Sequence, residues 1–128
     1  MKRLHGAVVA LTALSVSVSQ AAAFSASFRW CSKTPQSTTS PAFALSGVPV
    51  GTWSLSLKMI DRQASYNHGG GTIPYTGGRS IPCGAIASGW VGPFPPNGET
   101  HTYEFTIKAL DRRGRELGEA HAIRRFPG

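Results

Sequence analysis

Acidic side chains are scarce in this chain: six Asp and Glu stand against 13 Lys and Arg, a formal net charge of +7. Cysteine is scarcer still. Only Cys31 and Cys83 occur, and neither has a second Cys or His at ligand spacing, which argues against a zinc site. The histidines form no i, i+2 pair on a strand and no H-E-x-x-H motif, so metal chemistry is not expected either. No apolar run reaches the ~20 residues of a spanning helix, because Ser15, Ser17, Ser19 and Gln20 break the longest one. Internal repeats and an amphipathic helix are also lacking, which leaves strands as the elements to build with.

What is present at the start is a Met1-Lys2-Arg3 basic segment, an uncharged stretch from Gly6 to Val18, and Ala21-Ala22-Ala23 before Phe24. These are the three parts of a secretory leader. We expect residues 1–23 to be removed and 24–128 to form one exported domain, periplasmic or secreted from a bacterium. Two cysteines sent to an oxidising compartment imply a Cys31–Cys83 disulfide. Without Lys2 and Arg3 the balance is 11 cations against 6 anions, near +5. The excess lies late, at Arg112, Arg113, Arg115, Arg124 and Arg125. Glu116 and Glu119 interleave with it, and no nucleic-acid-binding motif accompanies it. It reads as solvated surface, with peripheral contact to an anionic membrane at most.

Along the chain, Phe24, Phe28 and Trp30 at even spacing suggest a first strand ending near Cys31. Ser40 to Thr52 reads as a short strand running into a Gly/Pro turn. From Trp53 to Ile60, Trp53, Leu55, Leu57 and Met59 alternate with polar residues, a half-buried strand that closes on Asp61. Arg62 to Ser80, with Gly69-Gly70-Gly71 and Gly77-Gly78, reads as a long irregular loop. Ile81 to Ile86 suggests a short edge segment. Between His101 and Leu110, His101, Tyr103, Phe105, Ile107 and Ala109 share one face, and Phe105 with Ile107 makes it the buried one. Asp111 to Arg115 reads as a hairpin turn with Gly114 at the left-handed position. Leu117 to Phe126 is a last strand, with Glu116–Ile123 readable as helix but weakened by Gly118. The expected class is all-β, a sandwich.

The chemistry concentrates at one end of the His101 strand, which delivers an imidazole and a phenol beside the Gly92–Pro96 loop. His68-Gly69-Gly70-Gly71 resembles the oxyanion-forming loop of some lipases, but the serine elbow that chemistry needs is missing. An enzyme is therefore not expected. Asp61 alone would be a turn residue; Asp61 with a histidine and the His101/Tyr103 pair could form a polar pocket.

The order of segments resembles the phosphatidylethanolamine-binding protein family, in its bacterial Raf-kinase-inhibitor-like branch. Ser40-Pro41-Ala42-Phe43, Ser46 to Thr52 and the strand ending at Asp61 look like its first signature. Gly92-Pro93-Phe94-Pro95-Pro96 followed by His101-Thr102-Tyr103-Glu104-Phe105 and Ala109-Leu110-Asp111 looks like its second. The resemblance implies a small β-sandwich, here lacking the C-terminal helix of larger members, with a pocket for a small anion or phosphorylated headgroup. It places Asp61, Gly92, Pro93, His101 and Tyr103 in that pocket. The family's first histidine precedes an Ile-Pro pair. Ile73-Pro74 makes it His68, whereas Ile81-Pro82 puts Tyr75 there instead; His68 suits the chemistry better. Gln63 replaces the family's second aspartate, and Arg62 would point either to the anion or to solvent.

The expected function is thus an exported, non-enzymatic binding protein for phosphate or a phosphorylated headgroup, without cofactor or metal. An ionised imidazole strengthens an anion contact, so affinity should rise as pH falls through the histidine range. The alternative is a β-sandwich interaction module that meets a protein or an anionic surface through its Arg-rich C-terminal end.

Overall fold

The computed structural model describes residues 2–16 and 23–128. Residues 2–16 carry no helix or strand, and residues 1 and 17–22 of the expected leader lie outside the described residues. No helix among the described residues is long and apolar enough to cross a membrane. Seven strands among the described residues build the domain: β1 (Ser25–Arg29), β2 (Ala42–Ser46), β3 (Ser54–Asp61), β4 (Tyr66–Pro74), β5 (Ser80–Ile81), β6 (His101–Leu110) and β7 (Glu116–Phe126). They form a three-stranded sheet, β1-β2-β5, and a four-stranded sheet, β4-β3-β6-β7. Every pairing is antiparallel. The expected all-β class is the observed one, and the alternative of a helix over Glu116–Ile123 is not, since β7 runs through it.

The core lies between the sheets and follows from side-chain alternation. On β6, His101, Tyr103, Phe105, Ile107 and Ala109 are buried in strict period two. On β3, Leu55, Leu57, Met59 and Asp61 do the same. Phe28 of β1 and Phe43 of β2 reach down from the smaller sheet, and each packs edge-on against Phe105, with ring centroids 5.1 and 4.9 Å away. Such edge-to-face pairs add to the area they remove from water. Trp53 leaves the pattern: it stays 55% exposed. It sits just before β3, and the Arg112 guanidinium stacks over its ring at 4.4 Å.

The largest correction concerns the glycine-rich segment, which is strand β4 and not a loop. Its backbone lies close between two others. A Cβ on Gly70 would collide with the Leu57 carbonyl of β3, and one on Gly69 with the Gly89 carbonyl. Glycine is therefore what lets this edge strand be covered: Gly70 N–H donates to Gly89 O at 3.0 Å, and Gly69 bridges to Trp90. The hairpin turn stands as expected, with Gly114 at φ +80° and its N–H donating to Asp111 O.

Cys31 and Cys83 form a disulfide, with 5.9 Å between their Cα atoms and a sequence separation of 52. It joins the end of β1 to the segment after β5, on the smaller sheet. Closing a loop of that length removes denatured-state entropy worth about 4 kcal/mol. The Cys31→Ser/Cys83→Ser double variant is expected to lose roughly 2–5 kcal/mol in urea unfolding. Gly70→Ala should fail to fold stably, as read by the same unfolding curve or by lost near-UV dichroism.

Candidate functional site

The site forms where β3 ends and β6 begins. Asp61 and Tyr103 are direct cross-strand partners, and the alternation that buries Leu57 and Met59 also turns Asp61 inward, where it is 4% exposed. A buried carboxylate needs partners, and Asp61 has three. Its Oδ1 accepts the backbone N–H of Gln63 at 2.9 Å and of Ala64 at 3.1 Å. Its Oδ2 meets His101 Nδ1 at 2.6 Å. The turn that follows β3 is in this way wrapped around the carboxylate. Gln63 then secures it to β6 by accepting the Thr102 N–H at 2.7 Å.

His101 is gripped on both sides. Its Nε2 meets Glu99 Oε2 at 2.9 Å, so both ring nitrogens face carboxylates and both act as donors. The Asp61 and Glu99 hydrogen bonds raise its pKa above the ordinary 6.5, against the opposing effect of burial. Burial alone would raise the pKa of Asp61, but His101 and the two backbone donors together bring it below 3.8. Flanking carboxylates favour the charged imidazole and a charged donor favours the carboxylate, so below the raised His101 value the pair is an imidazolium and a carboxylate.

His68 reaches the same place from β4 by a bulge. Gly69 pairs with Met59 and Asn67 with Ile60, which leaves His68 without an opposite residue. Bulges of this kind re-aim a side chain, and here Gly69 adopts φ +83°. His68 is 6% exposed, and its Nδ1 donates to Val91 O at 3.0 Å. Its desolvation lowers its pKa below 6.5, with the Val91 carbonyl acting the other way. The ring packs edge-on against Tyr66 and Tyr103, with centroids 4.8 and 5.4 Å away.

These groups surround a cavity of about 460 Å³ lined by Asp61, His68, Gly92 and His101, together with Gln36, Tyr66 and Phe94 and their neighbours. Gly92 is pressed against the loop that carries Gln36. Its N–H donates to Ser37 O at 2.8 Å, and a Cβ there would lie 2.9 Å from that oxygen.

Two residues expected in the cavity do not line it. Pro93 is buried behind the wall, where its carbonyl accepts the Gln36 N–H at 3.1 Å. Tyr103 is fully buried beneath the site. Its hydroxyl lies near the Asp61 carboxylate and the Phe94 backbone without a well-formed hydrogen bond to either. Burial first, then the Asp61 charge, raises its pKa well above the usual phenol value, so it stays protonated. Tyr75, the alternative to His68, lines a different hollow beside Ile81 and Pro82 and bonds to Gly78 O. Arg62 is exposed and absent from the cavity wall.

The sequence reading missed Gln36, Tyr66, Phe94 and Glu99. Tyr66 and Glu99 carried a usable signal, since each lies two residues before a candidate histidine. Gln36 carried none: it comes from a distant loop and adopts φ +56°.

A two-sheet antiparallel β-sandwich with two histidines and a buried carboxylate around one open hollow is the class of domain these strands define. Comparison with known proteins narrows it. The family model described as phosphatidylethanolamine-binding protein matches residues 15–126, and the chain belongs to that family. Two solved structures share its fold at 18% identity. YbcL of E. coli, titled a new member of the mammalian PEBP family, has a TM-score of 0.62 and covers 82% of this chain and 98% of its own. The Chlamydia trachomatis protein CT736, titled a putative phosphatidylethanolamine-binding protein homolog, has a TM-score of 0.60 and covers 83% and 98%. Among curated proteins no significant match is found.

In a histidine NMR titration, His101 is expected to titrate above pH 6.5 and His68 below it. Asp61→Asn should lower the His101 value. The pair also gives stability a pH window. A lowered carboxylate pKa stabilises above about 3.8 and fails as pH falls further; a raised imidazole pKa stabilises below 6.5 and fails as pH rises through its new value. The thermal midpoint of wild type relative to Asp61→Asn, a difference in which the loss of stability from protonating His68 largely cancels, should thus be greatest between about pH 4 and 6.5.

Proposed function

We propose that this chain is an exported, non-enzymatic binding protein whose cavity receives phosphate or a phosphorylated headgroup. The observation that carries the reading is the contact of His101, a residue of the cavity wall, whose second ring nitrogen already meets a carboxylate oxygen, that of Glu99, at 2.9 Å. A phosphate oxygen has the same donor requirement as that carboxylate oxygen. Asp61 fixes the imidazolium in place, Gly92 shapes the wall, and His68 stands alongside. Tyr103 acts from below as support for the His68 ring and does not touch the ligand. Below its raised pKa, with both nitrogens donating, His101 has no lone pair to accept a proton, so it is suited to holding an anion and not to acting as a general base. Export fits the disulfide, which persists in oxidising compartments, and the basic, uncharged and small-residue segments that precede Phe24.

Titration with inorganic phosphate or phosphoethanolamine should move the NMR signals of His101, His68 and Gly92 in the millimolar range. His101→Ala should weaken binding roughly ten- to a hundredfold, the worth of a hydrogen bond to a charged group. No movement of those signals would refute the reading. The pH dependence below 6.5 is assigned to His68, whose pKa is lowered, because that of His101 is raised above this value. Around His68 stand Asp61, His101, Tyr66 and Tyr103, and its protonation adds positive charge and a donor to the wall. Affinity for sulfate, whose charge is constant in this range, should rise as pH falls below 6.5, and the rise should vanish in His68→Gln.

A further inference from the structure

The two carboxylates on His101 are not equivalent. Asp61 is buried, and its second oxygen holds two backbone donors, so it cannot leave without stranding a charge. The Glu99 side chain is 57% exposed. Its carboxylate has His101 as its one partner among the described residues. The turn that carries it is tied by a backbone bond, Glu99 N–H to Pro96 O at 3.0 Å, which does not involve the side chain. Rotation of that side chain alone uncovers the nitrogen.

We propose that Glu99 is a displaceable internal anion: its carboxylate occupies the His101 Nε2 donor that a ligand's oxyanion must take, and so sets the affinity of the site. The proposal rests on the anion-pocket reading above and adds to it a residue that determines strength and charge selectivity. An oxyanion that binds must first break the His101–Glu99 ion pair. It then shares the mouth with the displaced carboxylate, so ligands of higher negative charge are disfavoured. Exposed ion pairs are weak, which makes the displacement accessible to a modest ligand.

The test is a sulfate titration of the disulfide-bonded protein near pH 6, followed by the His101 signals in wild type, Glu99→Gln and Glu116→Gln. Glu116 lies at the far hairpin, beside Lys108, and its variant removes the same net charge without touching the cavity. Glu99→Gln should bind sulfate roughly two- to fivefold more tightly, the worth of one exposed ion pair. Its ligand-free His101 should titrate at lower pH than in wild type, and Glu116→Gln should match wild type in both respects. Unchanged or weaker binding by Glu99→Gln, with wild-type binding intact, overturns the displacement and leaves the pocket standing. Equal tightening in Glu116→Gln overturns it as well, because net charge would then suffice. Absence of sulfate binding in wild type and Glu99→Gln alike overturns the pocket reading and the displacement together.

Discussion

The contact between Asp61 and His101 is the constraint on which the functional end of this molecule depends. A carboxylate cannot be buried among β-sandwich side chains without a compensating charge and donors. The chain meets that requirement with residues 40 positions apart, at a separation of 2.6 Å. The contact is possible because β3 and β6 pair in a register that sets Asp61 opposite Tyr103, one step along the same face from His101. A slip of one residue would turn one of the two groups to the opposite face of the sheet from the other. The packing of Leu55, Leu57 and Met59 against Phe105 and Ile107 therefore fixes the polar site as well as the core.

Around that pair, the cavity is assembled from backbone proximity more than from side-chain chemistry. Gly92 lies against Ser37, and Gly69 and Gly70 against the Gly89–Trp90 segment and β3. Each place leaves no room for a Cβ. The wall and the edge strand can thus come together only where glycine occurs. The bulge at His68 belongs to the same economy of space, since it swings an imidazole into the hollow at the point where β4 departs from regular pairing.

Much of this was legible beforehand because period-two burial is a local property. The face of β6, the closing of β3 on Asp61 and the turn at Gly114 were all read from alternation and turn chemistry. The family resemblance brought Asp61, His68, Gly92 and His101 together on paper, and the fold sets the four around one cavity. The glycine run misled for a physical reason. Glycine in isolation signals flexibility, whereas here it serves close approach, which depends on what lies opposite. The same resemblance placed Pro93 and Tyr103 in the cavity, and neither lines it. Residues two apart on a strand share a face but not a depth: Tyr103 points inward like His101 but sits one step deeper, against the His68 ring.

By itself the sequence determined which residues prefer strands, which faces are apolar, the one available disulfide pair, and the kinds of polar group on hand. Tertiary structure alone decided that His68 and not Tyr75 stands with His101, that Gln36 closes the wall, and that Glu99 meets the outer nitrogen of the imidazole. The reason is the range of the forces involved. Strand periodicity is written in neighbours two positions apart, while the protonation and orientation of an imidazole are set by whichever charges lie within a few ångströms in space, and only the folded chain brings those charges there.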